Sequence, residues 1–591
     1  MCGIFALLNN KDTKISAAFI KEQANKAIHR GPDNSKIEIR NNDFIAFHRL
    51  AINGLDQQSD QPLILNNILL ICNGEIYNYK RLYELINVKP VSNSDCEIII
   101  HMYQKYGIEY TINALDGVFA FILIDYESDK VFIGRDPYGV RPLFYLSNSD
   151  HGESETWENN SESNLLGFAS EMKQLHQFTQ KQSFNYDGRN KLQIKSFLPG
   201  TFMSLNLSAD NKWYIENIKR YTSFNLSRIS PQDSEIDEKF ILNSLHDIFC
   251  EAVHKRVQTT DRPIACLLSG GLDSSIVASL VSMMYDKQLE TYSIGLEGSD
   301  DLKYARIVAL HIQSKHTEIV VSEEDFFAFI PTVIKDIESY DTTTIRASVG
   351  NLMVAQYISE NSEAKVIFNG DGSDELMGGY LYMSHAPDCM EFDRECKRLI
   401  TEMHNFDVLR SDRSVSTRGL EARTPFLDRD YVAFYLSIPA NLRYNKNKKQ
   451  EKYLFRKAFD RDYLPKEILW RKKEAFSDGV SSQETPWYKV IENMVMNQTT
   501  IKYNPDVEYE HNSPQSLEQL YYRTIFEQNY PNQSHLIPHF WMPKYIDATD
   551  SSARSLEIYN NVTPEHNNEE SDENEPIDIN EAIDENEATI S

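Results

Sequence analysis

Ile264-Ala265-Cys266-Leu267-Leu268-Ser269-Gly270-Gly271-Leu272-Asp273-Ser274-Ser275 is the stretch on which the fold turns. Residues 264–268 read as a buried strand, a loop of small residues follows, and 274–285 carry the apolar spacing of a helix. Such a loop turns the free N–H groups of the helix's first turn toward an anion. It is not a Walker loop, because the Gly-Lys-Ser/Thr ending is missing. Downstream, the strand-like runs 291–296 and 365–368 alternate with long helical patterns, which predicts a parallel sheet with helices packed on it. Ser293-Ile294-Gly295-Leu296 and Asn369-Gly370-Asp371-Gly372-Ser373-Asp374-Glu375-Leu376 then fall at strand carboxyl ends, where ligands gather in open α/β sheets.

Upstream the text changes character. Across 3–213, short apolar runs at 44–47, 68–72, 119–124 and 130–133 alternate with Gly, Asn and Asp turns, as in a strand-rich domain. Residues 221–237 are rich in Ser, Asn and Asp, and after them Leu245, Ile248, Phe249, Ala252 and Val253 recur at helical spacing. The expected division is a first domain at 2–215, a linker at 216–237 and a second domain at 238–555. The polar run 148–164 reads as a surface loop, and the acidic segment 564–591 as a disordered tail.

A chain of 591 residues is too long for one hydrophobic core, and 41% hydrophobic with 25% charged residues suits soluble folded domains. Of the net charge of -28, the acidic tail accounts for part, and the body stays negative without it. A negative field repels phosphate backbones, which argues against a nucleic-acid partner while leaving room for local cationic pockets. The first residues, Met1 to Leu8, lack a basic flank and are too short an apolar run for a signal peptide or a membrane span. Seven cysteines without zinc spacing or a disulfide framework fit a reducing compartment, so the expected location is cytoplasmic.

Cys2 becomes the first residue if Met1 is removed, and its thiol then has its own α-amine beside it as a base. In order, Met1-Cys2-Gly3-Ile4, His29-Arg30-Gly31-Pro32-Asp33, His48-Arg49-Leu50-Ala51-Ile52, Asn73-Gly74-Glu75-Ile76-Tyr77-Asn78, Ser94-Asp95 and Asp116-Gly117-Val118-Phe119-Ala120-Phe121 resemble the glutaminase domain of class II amidotransferases. That resemblance implies an αββα sandwich with an N-terminal nucleophile, Cys2. It implies a glutamine site in Arg49, Leu50, Ala51, Ile52, Asn53, Asn73, Gly74, Glu75 and Asp95. Arg49 would meet the α-carboxylate and Asp95 the α-ammonium, while Asn73 and the Gly74 N–H would form the oxyanion hole. Taken singly, each also has an ordinary structural reading: Arg49 in a surface ion pair, Asn73-Gly74 in a hairpin turn, Asp95 as a helix cap. Six ordered matches favour the site.

In the second half, Ser269-Gly270-Gly271-Leu272-Asp273-Ser274 resembles the pyrophosphate loop of enzymes that cleave ATP between its α and β phosphates. The resemblance implies ATP as substrate, held by Leu267, Ser269, Gly270, Gly271, Asp273, Ser274, Ile294, Asn369 and Gly370. It also implies Mg²⁺ on Asp273 and Asp374, since hard carboxylate oxygens suit that ion. Joined to a glutaminase, this domain is similar to asparagine synthetases and their relatives, including β-lactam synthetases. Tyr340-Asp341-Thr342-Thr343-Thr344-Ile345-Arg346-Ala347-Ser348 resembles the asparagine synthetase segment for aspartate, with Thr343, Thr344 and Arg346 as binders. Further matches are Glu421-Ala422-Arg423-Thr424-Pro425-Phe426-Leu427-Asp428, Trp470-Arg471-Lys472-Lys473-Glu474-Ala475-Phe476-Ser477-Asp478-Gly479 and Trp541-Met542-Pro543-Lys544.

Lys473 matches the family lysine that offsets charge at the activated intermediate; its ordinary reading is a solvated lysine in a basic run. Asn369 stands where the family usually has serine, and Asp371 where it often has glutamate, so a catalytic carboxylate is kept on a shorter arm. The resemblance implies glutamine, aspartate and ATP as small-molecule partners, and it allows a homodimer. Two rivals differ in class: an amidotransferase acting on another carboxylate, and a catalytically dead interaction protein. The 340–348 segment counts against the first, and retention of Cys2, Arg49, Asp95, Asp273 and Asp374 against the second.

Overall fold

The computed structural model describes residues 1–556 apart from 11–12, 14, 42, 148–164, 181–191, 230–236, 445–449, 483, 499–500, 502–503 and 505–508. The expected loop at 148–164 and the expected tail at 564–591 lie outside the described residues.

In chain order the first half contains β1 (Gly3–Leu8), β2 (Asn34–Arg40), β3 (Asp43–Arg49), β4 (Leu63–Leu65), β5 (Ile68–Ile76), β6 (Gly117–Asp125), β7 (Lys130–Arg135), β8 (Phe144–Ser147), β9 (Leu166–Ala169), β10 (Gln193–Ser196), β11 (Thr201–Leu207) and β12 (Trp213–Arg220). They form two antiparallel sheets, ordered β10-β8-β9-β1-β3-β2 and β12-β11-β7-β6-β5-β4. Ile4, Ala6, Ile45 and Phe47 of the first sheet meet Leu69, Ile71, Ala120 and Ile122 of the second in one buried cluster. The alternate residues of the same strands face outward. Phe5, Leu7 and Phe44 pack on the helices Ala17–Ala24 and Met172–Gln180. Leu70, Cys72, Phe119 and Phe121 pack on Tyr79–Ile86 and Ile98–Ala114. Covering both faces is why β5 and β6 read as continuous apolar runs, and the result is the αββα sandwich. Asn73 and Gly74 lie inside β5, opposite Ala120 and Phe119, so the hairpin-turn reading does not hold.

After the helix Glu238–Gln258, the second half contains β13 (Ile264–Leu267), β14 (Glu290–Leu296), β15 (Lys315–Val321), β16 (Val366–Phe368) and β17 (Glu421–Arg423). All pair in parallel, in the order β15-β14-β13-β16-β17. The chain starts at the central strand, extends to one side, then returns to build the other. The order therefore reverses between β13 and β16, where the loops leaving the two strands diverge and open a crevice. Helical extensions follow β16, including Cys389–Glu402, Asp407–Ser416 and Leu517–Asn529.

The two halves share a core rather than touching at polar surfaces. Leu50, Ile52, Tyr77 and Val140 of the sandwich belong to one buried cluster with Leu245, Phe249, Phe426 and Tyr431. At roughly 1.5–3 kcal/mol per buried large apolar side chain, this contact is worth more than any single ion pair across it. Arg30, fully buried, adds specificity: its guanidinium bonds Asp412 through both nitrogens, at 2.8 and 3.1 Å, and its Nε donates to the Cys2 carbonyl at 2.9 Å.

Candidate active site

The crevice between β13 and β16 is lined by Leu267, Ser269, Gly271, Asp273, Ser274, Ile294, Thr343, Thr344, Asn369, Gly370, Asp371, Asp374 and Lys473. Most residues expected to hold ATP and aspartate are thus brought together. The helix Leu272–Met284 starts at Gly271 with no side-chain cap, which leaves its first N–H groups open to an anion. Gly270 does not line the crevice; it takes φ +67°, and a Cβ there would stand 2.4 Å from Tyr304, so its role is to shape the loop. Gly370 lets the β16 loop close on the β13 loop, since a Cβ would lie 2.8 Å from that of Asp273.

Asp273 and Asp374 converge on one cation. The Lys452 ammonium lies 2.6 Å from Asp273 and 2.5 Å from Asp374, and Lys473 lies 2.5 Å from Asp374 and 3.7 Å from Asp273. Burial alone would raise the Asp374 carboxyl, but Lys452 and Lys473 hold it well below the ordinary carboxylate value. Despite its burial, Lys473 is held above the ordinary lysine value by Asp374 and Asp273, so it stays a cation. Two hard oxygen donors already facing one positive centre are the set a magnesium ion needs from protein, its other positions going to phosphate and water. The pair fits the ion. Lys452 escaped the sequence reading: no motif marks it, and it meets Asp273 only because the chain returns there. Its φ of +54° is uncommon for a residue with a side chain, and such backbone is often found at functional sites.

On the opposite wall, the helix Thr342–Asn361 presents its first turn to the crevice. The Thr343 hydroxyl is buried and has no hydrogen-bond partner, which costs about 1–3 kcal/mol unless a ligand supplies one. Thr344 is committed instead: its hydroxyl and N–H both donate to Asp341, at 2.7 and 2.9 Å, capping the helix. Arg346 requires a correction. It does not line the crevice; its guanidinium is buried and engaged by Glu518, at 2.9 and 2.6 Å, and by Asp550, at 2.7 and 2.8 Å. These partners lie far along the chain and left no local signal. Of the arginines that do line the crevice, Arg410, Arg456 and Arg471, it is Arg410 that donates to Asp371, at 3.2 Å, and to Asp407, at 3.3 Å. The two departures from the family pattern meet here, because Asn369 Nδ2 donates to Asp371 and to Ser411 Oγ, each at 2.7 Å.

The residues expected to bind glutamine lie at the end of β3, in the loop that follows it, inside β5 and at Asp95. The Cys2 thiol donates to the Leu50 carbonyl at 3.6 Å. Burial pushes that thiol up to about 11, against the opposing pull of the nearby amine. Met1 precedes it, fully buried, with its amine donating to Leu420 O at 3.3 Å. Asn73 is fully buried and neither atom of its side-chain amide has a partner, as an oxyanion site would leave it. On β5 the N–H groups of Cys72 and Ile76 turn away from β6, to Gln61 Oε1 at 2.6 Å and Asp95 Oδ2 at 2.7 Å. Strand alternation directs the Gly74 N–H to the same edge, between them. Asp95 is buried, and this raises its carboxyl to about 6.

The other residues expected at this site have structural partners. Arg49 donates to Asp60, to the Asp56 carbonyl at 3.0 Å and to Asn53 O at 3.3 Å, and so orders the 53–60 loop. Asn53 donates through Nδ2 to Glu75, which also pairs with Arg423 at 3.3 Å. Ala51 N donates to Asp33 at 2.8 Å. Ile52 packs in the shared core.

Comparison with known proteins agrees with this two-site geometry. The family model described as "Glutamine amidotransferase domain" matches residues 1–220, and the one described as "Asparagine synthase" matches 244–392 and 387–545. The chain is similar to the asparagine synthetase (glutamine-hydrolyzing) of Gallus gallus, at 40% identity over 587 residues, covering 96% of this chain and 100% of that one. The proteins of that name from Rattus norvegicus and Homo sapiens are 41% and 40% identical over 581 residues, covering 95% of this chain and 99% of each. With both catalytic halves matched and nearly the full length aligned, the chain belongs to the family of glutamine-hydrolysing asparagine synthetases.

Proposed function

We propose that the protein makes asparagine and glutamate from aspartate and glutamine, cleaving ATP to AMP and pyrophosphate. The observation that carries this reading is the crevice at the strand-order reversal, which joins an uncapped helix start, the Asp273–Asp374 pair with its two lysines, and the orphaned Thr343 hydroxyl.

ATP lies with its adenosine against Leu267, Ile294 and Gly370 and its phosphates along Ser269 to Ser274, with Asn369 at the sugar side. Asp273 and Asp374 would hold Mg²⁺, which when bound offsets phosphate charge and makes pyrophosphate a better leaving group. Aspartate enters beside Thr343, Thr344, Asp371 and Arg410. An oxygen of its β-carboxylate forms a bond to the α-phosphorus as the bond to pyrophosphate breaks, giving β-aspartyl-AMP. The Lys473 cation offsets the negative charge that develops. Ammonia then bonds to the acyl carbon, AMP leaves with the electron pair, and the nitrogen sheds a proton.

In the other half, removal of Met1 frees the Cys2 amine to take the thiol proton, and the sulfur attacks the glutamine amide. Asn73 Nδ2 and the Gly74 N–H donate to the oxyanion, Asp95 meets the α-ammonium, and Arg49 meets the α-carboxylate in exchange for part of its loop contacts. Ammonia departs, and water releases glutamate from the thioester. Met1 belongs to an apolar cluster with Ala265, Ile294 and Val354, the last two of which line the ATP crevice, so its removal supports a dry passage between the sites. Such a passage keeps ammonia unprotonated.

The seven free thiols support a cytoplasmic enzyme, and among the described residues no helix is long and apolar enough to cross a membrane. The reading includes a homodimer, tested by sedimentation of the full chain. Aspartate-dependent exchange of labelled pyrophosphate into ATP tests the activation step: exchange is expected with aspartate and magnesium ATP in the absence of glutamine and ammonia, and its absence would contradict the reading.

A further inference from the structure

Lys473 sits in a stretch, 471–475, that has neither helix nor strand. A long side chain on irregular backbone reaches a reacting centre reproducibly only if something else fixes that backbone. One side is tied to the end of β14, where Leu296 N donates to Val480 O at 2.8 Å and Ser299 Oγ to Gly479 O at 2.7 Å. The other side meets the carboxy-terminal end of the described chain. Arg554 is buried there and donates from Nε to Glu474 at 2.6 Å, from Nη1 to Ser482 O at 2.7 Å, and from both terminal nitrogens to Ser481 O at 3.2 Å. Asp478 accepts from Ser552 Oγ at 2.6 Å and Ala553 N at 3.1 Å. Asp550 accepts from Ser552 N at 2.8 Å while holding Arg346, one turn along the helix that presents Thr343. Residues 550–554 thus join the lysine loop to the opposite wall of the crevice without lining it.

We propose that residues 550–554 are a clamp that positions Lys473 relative to the Thr343 wall, with Arg554 and Asp550 as positioning residues for the adenylation step. The clamp rests on the role given to Lys473 above. It acts through the backbone: Glu474 is anchored next to Lys473, and the carbonyls of 481 and 482 are fixed by one planar guanidinium that no lysine can imitate. Arg346 belongs to the same device, which is the physical reason its guanidinium is spent on Glu518 and Asp550 and not on a substrate.

The test compares the full chain with Arg554→Ala, Arg554→Lys and Ser552→Ala. Backbone hydrogen exchange across 471–482 is expected to quicken in Arg554→Ala. In the same variant kcat for aspartate-dependent pyrophosphate exchange should fall by about ten- to a hundred-fold, with the KM for ATP changed less than about three-fold. Glutaminase turnover should stay within about two-fold, because its groups lie in the other half. Arg554→Lys should recover only part of the loss, reaching Glu474 but not both carbonyls. Ser552→Ala, which removes the donation to Asp478 and the cap on the Arg554 N–H but keeps the Arg554 guanidinium, should move loop exchange and kcat in the same direction by less, and it carries the test if Arg554→Ala does not fold. Unchanged loop exchange in these variants overturns the clamp. So does a loss explained wholly by the KM for ATP, or a parallel loss of glutaminase. Wild-type pyrophosphate exchange reads the function itself, whereas loop protection in variant against wild type reads the clamp alone.

Discussion

Cys2 divides the two half-reactions. Cys2→Ala should abolish asparagine formation from glutamine and leave formation from ammonia within about two-fold, because only ammonia release needs the thiol. Loss of both in a folded variant would remove Cys2 from the assigned role. Asp95 gives the same site a pH signature. Burial raises its carboxyl to about 6, and pairing with an α-ammonium needs the ionised form. The kcat/KM for glutamine should therefore fall as pH drops through about 6, and Asp95→Asn should show a low value without that inflection. At Asp371, a carboxylate holds Arg410 and accepts from Asn369. Asp371→Asn should lower aspartate-dependent pyrophosphate exchange by about ten-fold or more while sparing glutaminase, and Asp371→Glu should be partly tolerated. Wild-type exchange in Asp371→Asn would take the residue out of aspartate activation. At this scale the sequence was legible where a residue sits inside a motif, as with Asp273, Asp374 and Thr343. It was not legible for Lys452, which reaches Asp273 by a return of the chain, or for Arg346, whose partners Glu518 and Asp550 are remote in sequence.

Strands and loops carry these residues by close backbone approach. Gly74 lets β5 lie against β6; a Cβ there would stand 2.4 Å from the Val118 carbonyl and 2.7 Å from Phe119 Cα. Gly74→Ala should lower stability by about 1–3 kcal/mol, seen as a reduced Tm, and also lose glutaminase as the oxyanion edge shifts. Full stability with full activity would show that the strands can part at no cost. Elements with a strong apolar period were legible: the runs at 44–47, 68–72, 119–124 and 291–296 all fall in strands, and the run at 264–268 overshoots β13 by one residue. β17 was not, because Glu421-Ala422-Arg423 is polar text. It is buried by pairing Glu421 with Arg423, at 2.9 Å, and with Arg141, at 3.4 Å, so charge complementarity replaces hydrophobic patterning.

Across the whole molecule, the helix Asp407–Ser416 links the two sites: Arg410 faces Asp371, while Asp412 holds Arg30, whose Nε bonds the Cys2 carbonyl. Asp412→Ala would leave a buried guanidinium without its principal partner, and thermal or denaturant unfolding should show a loss of roughly 3–5 kcal/mol. A surface-like effect of a few tenths would contradict the buried network. The interface was unreadable from sequence, since its partners Arg30 and Asp412 belong to different domains and neither motif predicts the other. Removal of residues 564–591 should change neither activity by more than a few-fold, because a charged, aromatic-free segment adds nothing to a core; a large fall in turnover would show that it reaches a site. The central claim is that aspartate is activated by adenylation and then amidated with glutamine nitrogen. The most direct measurement supplies the full chain with aspartate, glutamine and magnesium ATP and quantifies every product. Asparagine, AMP and pyrophosphate in equal amounts, with at least as much glutamate, is the predicted result; ADP and phosphate in place of AMP and pyrophosphate would contradict it.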